Sequence, residues 1–215
     1  MDNLLGILGI GFLLGIKHAL EPDHVIAVST IVGKHKTIWR SSLLGFFWGL
    51  GHTLTLLLVF LVLALTKEAI SETWSLLFEL VVGVMLVYLG IISFRSSHSK
   101  KKLSTEKGYK SENRLFLKSM VIGQIHGMAG SAAMTLIALS VVDSIKDAFV
   151  YISLFGIGTI IGMLLFTAGL SIPFLLAGQK QTFNRVLGSL ASIISVSYGF
   201  YYIYTIGFID GLFFQ

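Results

Sequence analysis

Apolar residues in this chain do not alternate and do not fall on single faces. They come in long runs, near 3–20, 41–65, 74–94, 115–141, 148–176 and 184–206, separated by short polar stretches. Runs near or above about 18 residues cross about 30 Å of hydrocarbon as helices. They are too long and too uniformly apolar for the strands of a membrane barrel. The pattern predicts an all-α membrane protein of about six transmembrane helices. A short apolar piece, Val25 to Val32, follows the first run and extends it beyond a break. The opening MDNLL has no basic segment and the first run leads into HALEPDH, so it reads as a retained span rather than a cleaved leader.

Composition agrees. Of 215 residues, 54% are hydrophobic and only 13% charged, well below the charged share of a soluble domain. With no cysteine, disulfides, thiolate metal sites and thiol redox chemistry are excluded. The net charge of +5 is a topology signal and not a nucleic-acid footprint. The first, third and fifth loops hold most of the lysine and arginine, including Lys34, Lys36, Arg40, Arg95, Lys100 to Lys102 and Arg185. The positive-inside rule puts these loops in the cytoplasm and both termini outside a cytoplasmic (inner) membrane.

The two halves resemble each other. Gly15-x-x-His18 recurs as Gly123-x-x-His126, Gly49-Leu50-Gly51 as Gly156-Ile157-Gly158, and Gly90 as Gly199, at offsets of 107–109. Three spans per half is an odd number, so the second half enters the bilayer from the opposite side. The expectation is one permease domain over 1–215, built as two inverted three-helix repeats (1–95 and 114–215). A basic cytoplasmic loop, 96–113, joins them, and a binding site lies at the repeat interface.

The strongest chemical signal is GIKHALEPDHV, Gly15 to Val25. It gathers His18, Glu21, Asp23 and His24 beside a span, where a carboxylate costs about 2.5–3.5 kcal/mol on insertion scales. On an unbroken helix, His18 and His24 would lie about 120° apart. Pro22 breaks that helix, lets Asp23 and His24 turn back toward His18, and should free the His18 carbonyl. A plainer alternative has Asp23 capping the following helix. His52 lies inside the second span behind Gly49 and Gly51, as a ligand or as a packed histidine. His126, the repeat partner of His18, is a ligand or a packing residue. The offset maps Pro22 onto Gly130, so both copies carry a helix breaker. It maps Asp23 and His24 onto Ser131 and Ala132, so one asymmetric ion site is expected. Thr53, Glu79 and Ser131 are candidates for the pathway. His35 and His98 read as solvated loop residues, and the methionines as scattered packing residues. Histidine with carboxylate and no sulfur suits nickel or cobalt, with zinc next.

HALEPDH (His18 to His24) matches the HxxxxDH signature of the nickel/cobalt transporter superfamily. FFWGLGHT (Phe46 to Thr53) resembles its second motif, and HGMAGSAAM (His126 to Met134) is similar to its UreH-type, urease-accessory branch. The resemblance implies a permease, not an enzyme, with Ni2+ or Co2+ as transported substrate and no prosthetic group. His18, Asp23 and His24 would handle the metal and His52 support them. The delivered ion would serve urease or hydrogenase maturation machinery. Larger members have about eight spans and an acid where this chain has Thr167. The lack of a histidine-rich loop favours uptake. The rival readings are metal efflux by the same fold, an intramembrane metal-dependent hydrolase, and a structural partner that docks an enzyme through the basic third loop.

Overall fold

In a computed structural model of the chain, residues 2–32, 37–66, 70–98, 108–142, 144–176 and 181–214 are described. His35 and residues 99–107 of the basic third loop lie outside them, and the two ends of that loop, 96–98 and 108–113, are helical rather than loop. The helices are α1 (Asp2–His18), α2 (Pro22–Val32), α3 (Ile38–Thr66), α4 (Glu72–His98), α5 (Gly108–Met128), α6 (Ser131–Val141), α7 (Ile145–Leu176) and α8 (Gln181–Tyr204). A π-helical turn, Thr205–Ile209, and a short 3-10 turn, Leu212–Phe214, follow α8. Four helical stretches are each long and apolar enough to cross a membrane. Two bent pairs meet the same length and composition when each is taken together, α1 with α2 at 51° and α5 with α6 at 65°, which makes four to six spans among the described residues. Taken as one span, the first pair runs to Val32, as the apolar piece Val25 to Val32 suggests, and the chemical motif then falls at the bend. Large apolar side chains such as Leu58, Leu65, Tyr88, Leu165 and Phe200 stay exposed around the outside, as a lipid-facing surface requires.

Glycines set the packing, because van der Waals contact between close backbones is what holds membrane helices together. Gly11 and Gly15 of α1 meet Tyr151 and Phe155 of α7, while Gly158 and Gly162 meet Phe12 and Ala19, so α1 and α7 run parallel. Gly123 and Gly127 of α5 lie on Trp48 and His52 of α3, again parallel. Gly45, Gly49 and Gly156 tie α3 to α7 in antiparallel order through Thr167, Ile160 and Thr53. Gly83 and Gly90 of α4 meet Ile203 and Ser192 of α8, also antiparallel. It follows that α1 runs opposite to α5, α3 to α7 and α4 to α8, so each pair matched by the sequence offset is inverted. The contacts exchange as well: Gly15 on Phe155 has its image in Gly123 on Trp48, and Gly51 on Met120 in Gly158 on Phe12.

A Cβ on Gly15 would fall on the Phe155 carbonyl oxygen, which is backbone and cannot turn away. Gly15→Ala gains up to about 1 kcal/mol of helix propensity but overpacks at a cost of about 1–3 kcal/mol. The clash should win, lowering the thermal unfolding midpoint of the detergent-solubilised protein. An unchanged or raised midpoint would mean that α1 and α7 are not in close contact.

Two apolar clusters fill the interior. One holds Ala27, Val28 and Val32 of α2 with Trp48, Leu86 and Met163. The other holds Ala138 of α6 with Leu56, Phe60, Ile152 and Phe155. Along α3 they lie on opposite sides of His52, which is the central residue of that helix. Each short half-helix thus seals one side of a histidine layer.

Candidate metal centre

The layer is organised by the break between α1 and α2. Past His18 the chain tightens: the Leu20 amide donates to the Lys17 carbonyl (2.9 Å) and the Glu21 amide to the His18 carbonyl (3.0 Å). Pro22 then opens α2, where its missing N–H costs nothing and its fixed φ suits a helix start. The Glu21 carbonyl accepts the first bond of the new helix from Val25 (3.0 Å). One sequence expectation is corrected here. The His18 carbonyl is not free, because the chain turned by the proline brings the Glu21 amide onto it.

The break brings the predicted side chains together. The His18 and His24 rings lie 4.7 Å apart, His18 and His52 5.0 Å, His24 and His52 5.2 Å, and His24 and His126 4.0 Å. His24, His52 and His126 are buried, while His18 and Asp23 keep slight exposure. His18 Nδ1 lies 2.9 Å from a Glu21 carboxylate oxygen, a hydrogen bond that directs Nε2 inward. There it stands 3.2 Å from His52 Nε2. Two nitrogens on one tetrahedral ion with bonds of 2.0–2.1 Å would be about 3.3 Å apart. Glu21 therefore fixes the His18 ring with the same kind of bond that carboxylates make to metal-binding histidines.

Asp23 stands in the first turn of α2 and its carboxylate serves both a helix amide and two imidazoles. Its Oδ1 accepts the His24 amide at 3.0 Å and sits 3.3 Å from His24 Nδ1. Its Oδ2 accepts from His126 Nε2 at 2.8 Å, linking the two halves of the chain. Three buried ring nitrogens, His24 Nε2, His52 Nδ1 and His126 Nδ1, make no hydrogen bond. An unpaired buried polar group costs about 1–3 kcal/mol. Of the three, His24 Nε2 is the one that the donor groups described next would call on, since His52 and His126 turn their Nε2 atoms to His18 and Asp23. The donors fall into two groups, each with its ligand atoms within 4.8 Å: His18, His24 and His52, and Asp23, His24 and His126.

Three secondary candidates lie elsewhere. The Thr53 hydroxyl donates to the Gly156 carbonyl (3.1 Å) and joins α3 to α7. The Ser131 hydroxyl turns back to the Met128 carbonyl (2.8 Å) beside Gly130, whose φ of 70° makes the second break. Glu79, half-buried in α4, hydrogen-bonds Tyr202 of α8. His98, exposed at the end of α4, contacts the Phe94 carbonyl.

Two site residues escaped the sequence reading. Phe155 lies 5.3 Å from the His18 ring and Trp48 5.8 Å from the His126 ring. Trp48 and Phe155 are related by the same offset of 107 as the neighbouring glycines, so each repeat supplies an aromatic wall to the other's histidine. The signal was the residue just before each glycine pair.

No family model matches the chain, and no solved structure matches it either. The chain is 47% identical to the urease accessory protein UreH of Bacillus sp. (strain TB-90), over 98% of this chain and 96% of that protein. It is 26% identical to a Methanocaldococcus jannaschii protein named provisionally as a nickel/cobalt efflux system, over 83% of this chain and 79% of the relative. Chloroplast protein FOR GROWTH AND FERTILITY 1 of Arabidopsis thaliana is 25% identical over 74% of this chain and 47% of its own length.

Proposed function

The chain belongs to the UreH family of urease accessory proteins, and we propose that it carries nickel or cobalt across the cytoplasmic membrane, through the His/Asp cluster between two inverted repeats. The observation that carries this reading is the convergence of four imidazoles and one carboxylate at a break inside a membrane helix. A cation needs such groups to replace its hydration shell, and irregular backbone is tolerated at membrane depth where it serves a site. The donor set supports a borderline transition metal over magnesium or calcium.

On the side of α2, Val28, Ile31, Val32, Leu44, Gly45, Trp48 and Ser119 leave no space for a water molecule. On the other side, α6 closes the second apolar cluster. Passage then requires these half-helices to move in turn about the bends near Pro22 and Gly130, so that the ion meets one side at a time. Arg40, Arg95 and Arg185 stand at helix ends on the α2 side, which supports a cytoplasmic placement of that face and outward-facing termini. Supply of nickel to urease maturation favours uptake. Among the described residues, Glu21, the acid nearest the histidines besides Asp23, is bound to His18, which counts against its serving as the base of the hydrolase alternative.

The test is ion flux into proteoliposomes of purified protein, with nickel, cobalt and zinc in competition. Protein-dependent nickel or cobalt flux, each inhibiting the other, is expected. Flux equal to that of empty liposomes for all three ions rejects the proposal.

A further inference from the structure

The donors do not form one shell. The groups whose ligand atoms come together are two triads with His24 in common. In the first, His18 Nε2 and His52 Nε2 face each other at 3.2 Å, and the unpartnered His24 Nε2 completes a set of three imidazoles. In the second, Asp23 Oδ2 and His126 Nε2 are 2.8 Å apart, and His24 presents its other nitrogen, Nδ1, 3.3 Å from Asp23 Oδ1. Each triad contains one of the two histidines related by the repeat, His18 or His126. Each of those is walled by the other repeat's aromatic, Phe155 or Trp48. His24 has no repeat counterpart, because the offset places Ala132 there.

We propose that the cluster holds a single divalent transition-metal ion in either of two overlapping positions, one made by His18, His24 and His52 and the other by Asp23, His24 and His126. A neutral imidazole offers one lone pair at a time, so the shared His24 makes occupancy of the two positions alternative. For an ion to pass between them, the His24 proton must move from Nδ1, which the first position leaves protonated, to Nε2, which the ion vacates, so the shift of the ion is coupled to a tautomer change of one ring. The carboxylate offsets the ion's charge in one position, and three nitrogens hold it in the other. This inference rests on the transport reading but is tested apart from it.

Co2+ serves as the probe, added to the purified full-length protein and followed by its visible absorption and X-ray absorption. His126→Ala should still bind Co2+, with an imidazole-dominated spectrum. His18→Ala should also bind Co2+, with oxygen in the ligand shell and a different visible spectrum. Asp23→Asn, which keeps the side-chain shape, should give the spectrum of His126→Ala. Nickel flux of all three should fall by at least about tenfold, because each leaves only one intact position. The inference is overturned if His18→Ala and His126→Ala give the same spectrum. It is also overturned if either loses Co2+ binding while keeping the wild-type unfolding midpoint, or if Asp23→Asn keeps wild-type flux. Absence of flux in the wild type would reject the transport reading, while the spectra would still decide between one position and two.

Discussion

Replacing His24 by alanine is expected to abolish ion transport, more completely than replacing either His18 or His126. His24 belongs to both donor groups, so its loss leaves neither with three ligands. Removing a residue that merely orients a ligand costs about 10–100-fold in metal affinity, and removing a ligand should cost at least the upper end of that range. The helix carrying it should survive. α2 is held through Ala27, Val28 and Val32 in the apolar cluster and by the Ser93 hydroxyl on the Thr30 carbonyl (2.9 Å). A normal unfolding midpoint combined with nickel flux at the level of empty liposomes is the expected pair of results. Flux above a tenth of the wild-type rate would show that the ion does not depend on the shared imidazole.

Tying α2 to α3 should stop transport without removing ion binding. Val28 and Leu44 line the same water-free constriction on one side of the histidine layer, and neither contributes a donor. The chain has no cysteine, so in the double variant Val28→Cys, Leu44→Cys the two introduced thiols are the only ones. Joining them with a short bifunctional thiol reagent fixes α2 against its seal. Nickel binding should persist while flux falls to background, and a cleavable reagent should restore flux on reduction. Undiminished flux in the fully cross-linked protein would mean that α2 does not move and that the ion leaves by another route.

Much of this architecture was readable from the residues, and the reasons are physical. The all-helical membrane architecture followed from run length, because hydrocarbon sets the length of a membrane helix, and the six runs correspond to four long helices and two bent pairs. The inverted pairing followed from three glycine matches at nearly one offset, and the helix directions agree with it through contacts that only glycine permits. The convergence at Pro22 followed from the missing amide of proline, since a straight helix would have splayed His18 from His24.

What the residues did not disclose depends on tertiary contact. The first run fades into HALEPDH, so hydropathy ended the span there. The apolar piece Val25 to Val32 hinted at a continuation, but its packing against Trp48 and Leu86 is a tertiary contact. The repeat offset singled out Ser131 and the FFWGLGHT motif Thr53, but the partners of their hydroxyls, the Met128 and Gly156 carbonyls, are tertiary and turn contacts. A hydroxyl inside a membrane helix commonly resolves itself in this way. The division of the donors into two triads was not legible either. It depends on which nitrogen of each ring faces inward, and partners such as Glu21 at His18 decide that.

Transport by this route requires that histidines at the α1–α2 break take hold of the ion. X-ray absorption of wild-type protein loaded with one equivalent of Ni2+ measures this most directly. The predicted result is a first shell dominated by nitrogen near 2.0–2.1 Å, a range set by known metal–imidazole bonds, with the outer-shell scattering of two or more imidazole rings. A shell of oxygen alone, with no imidazole scattering, would contradict it.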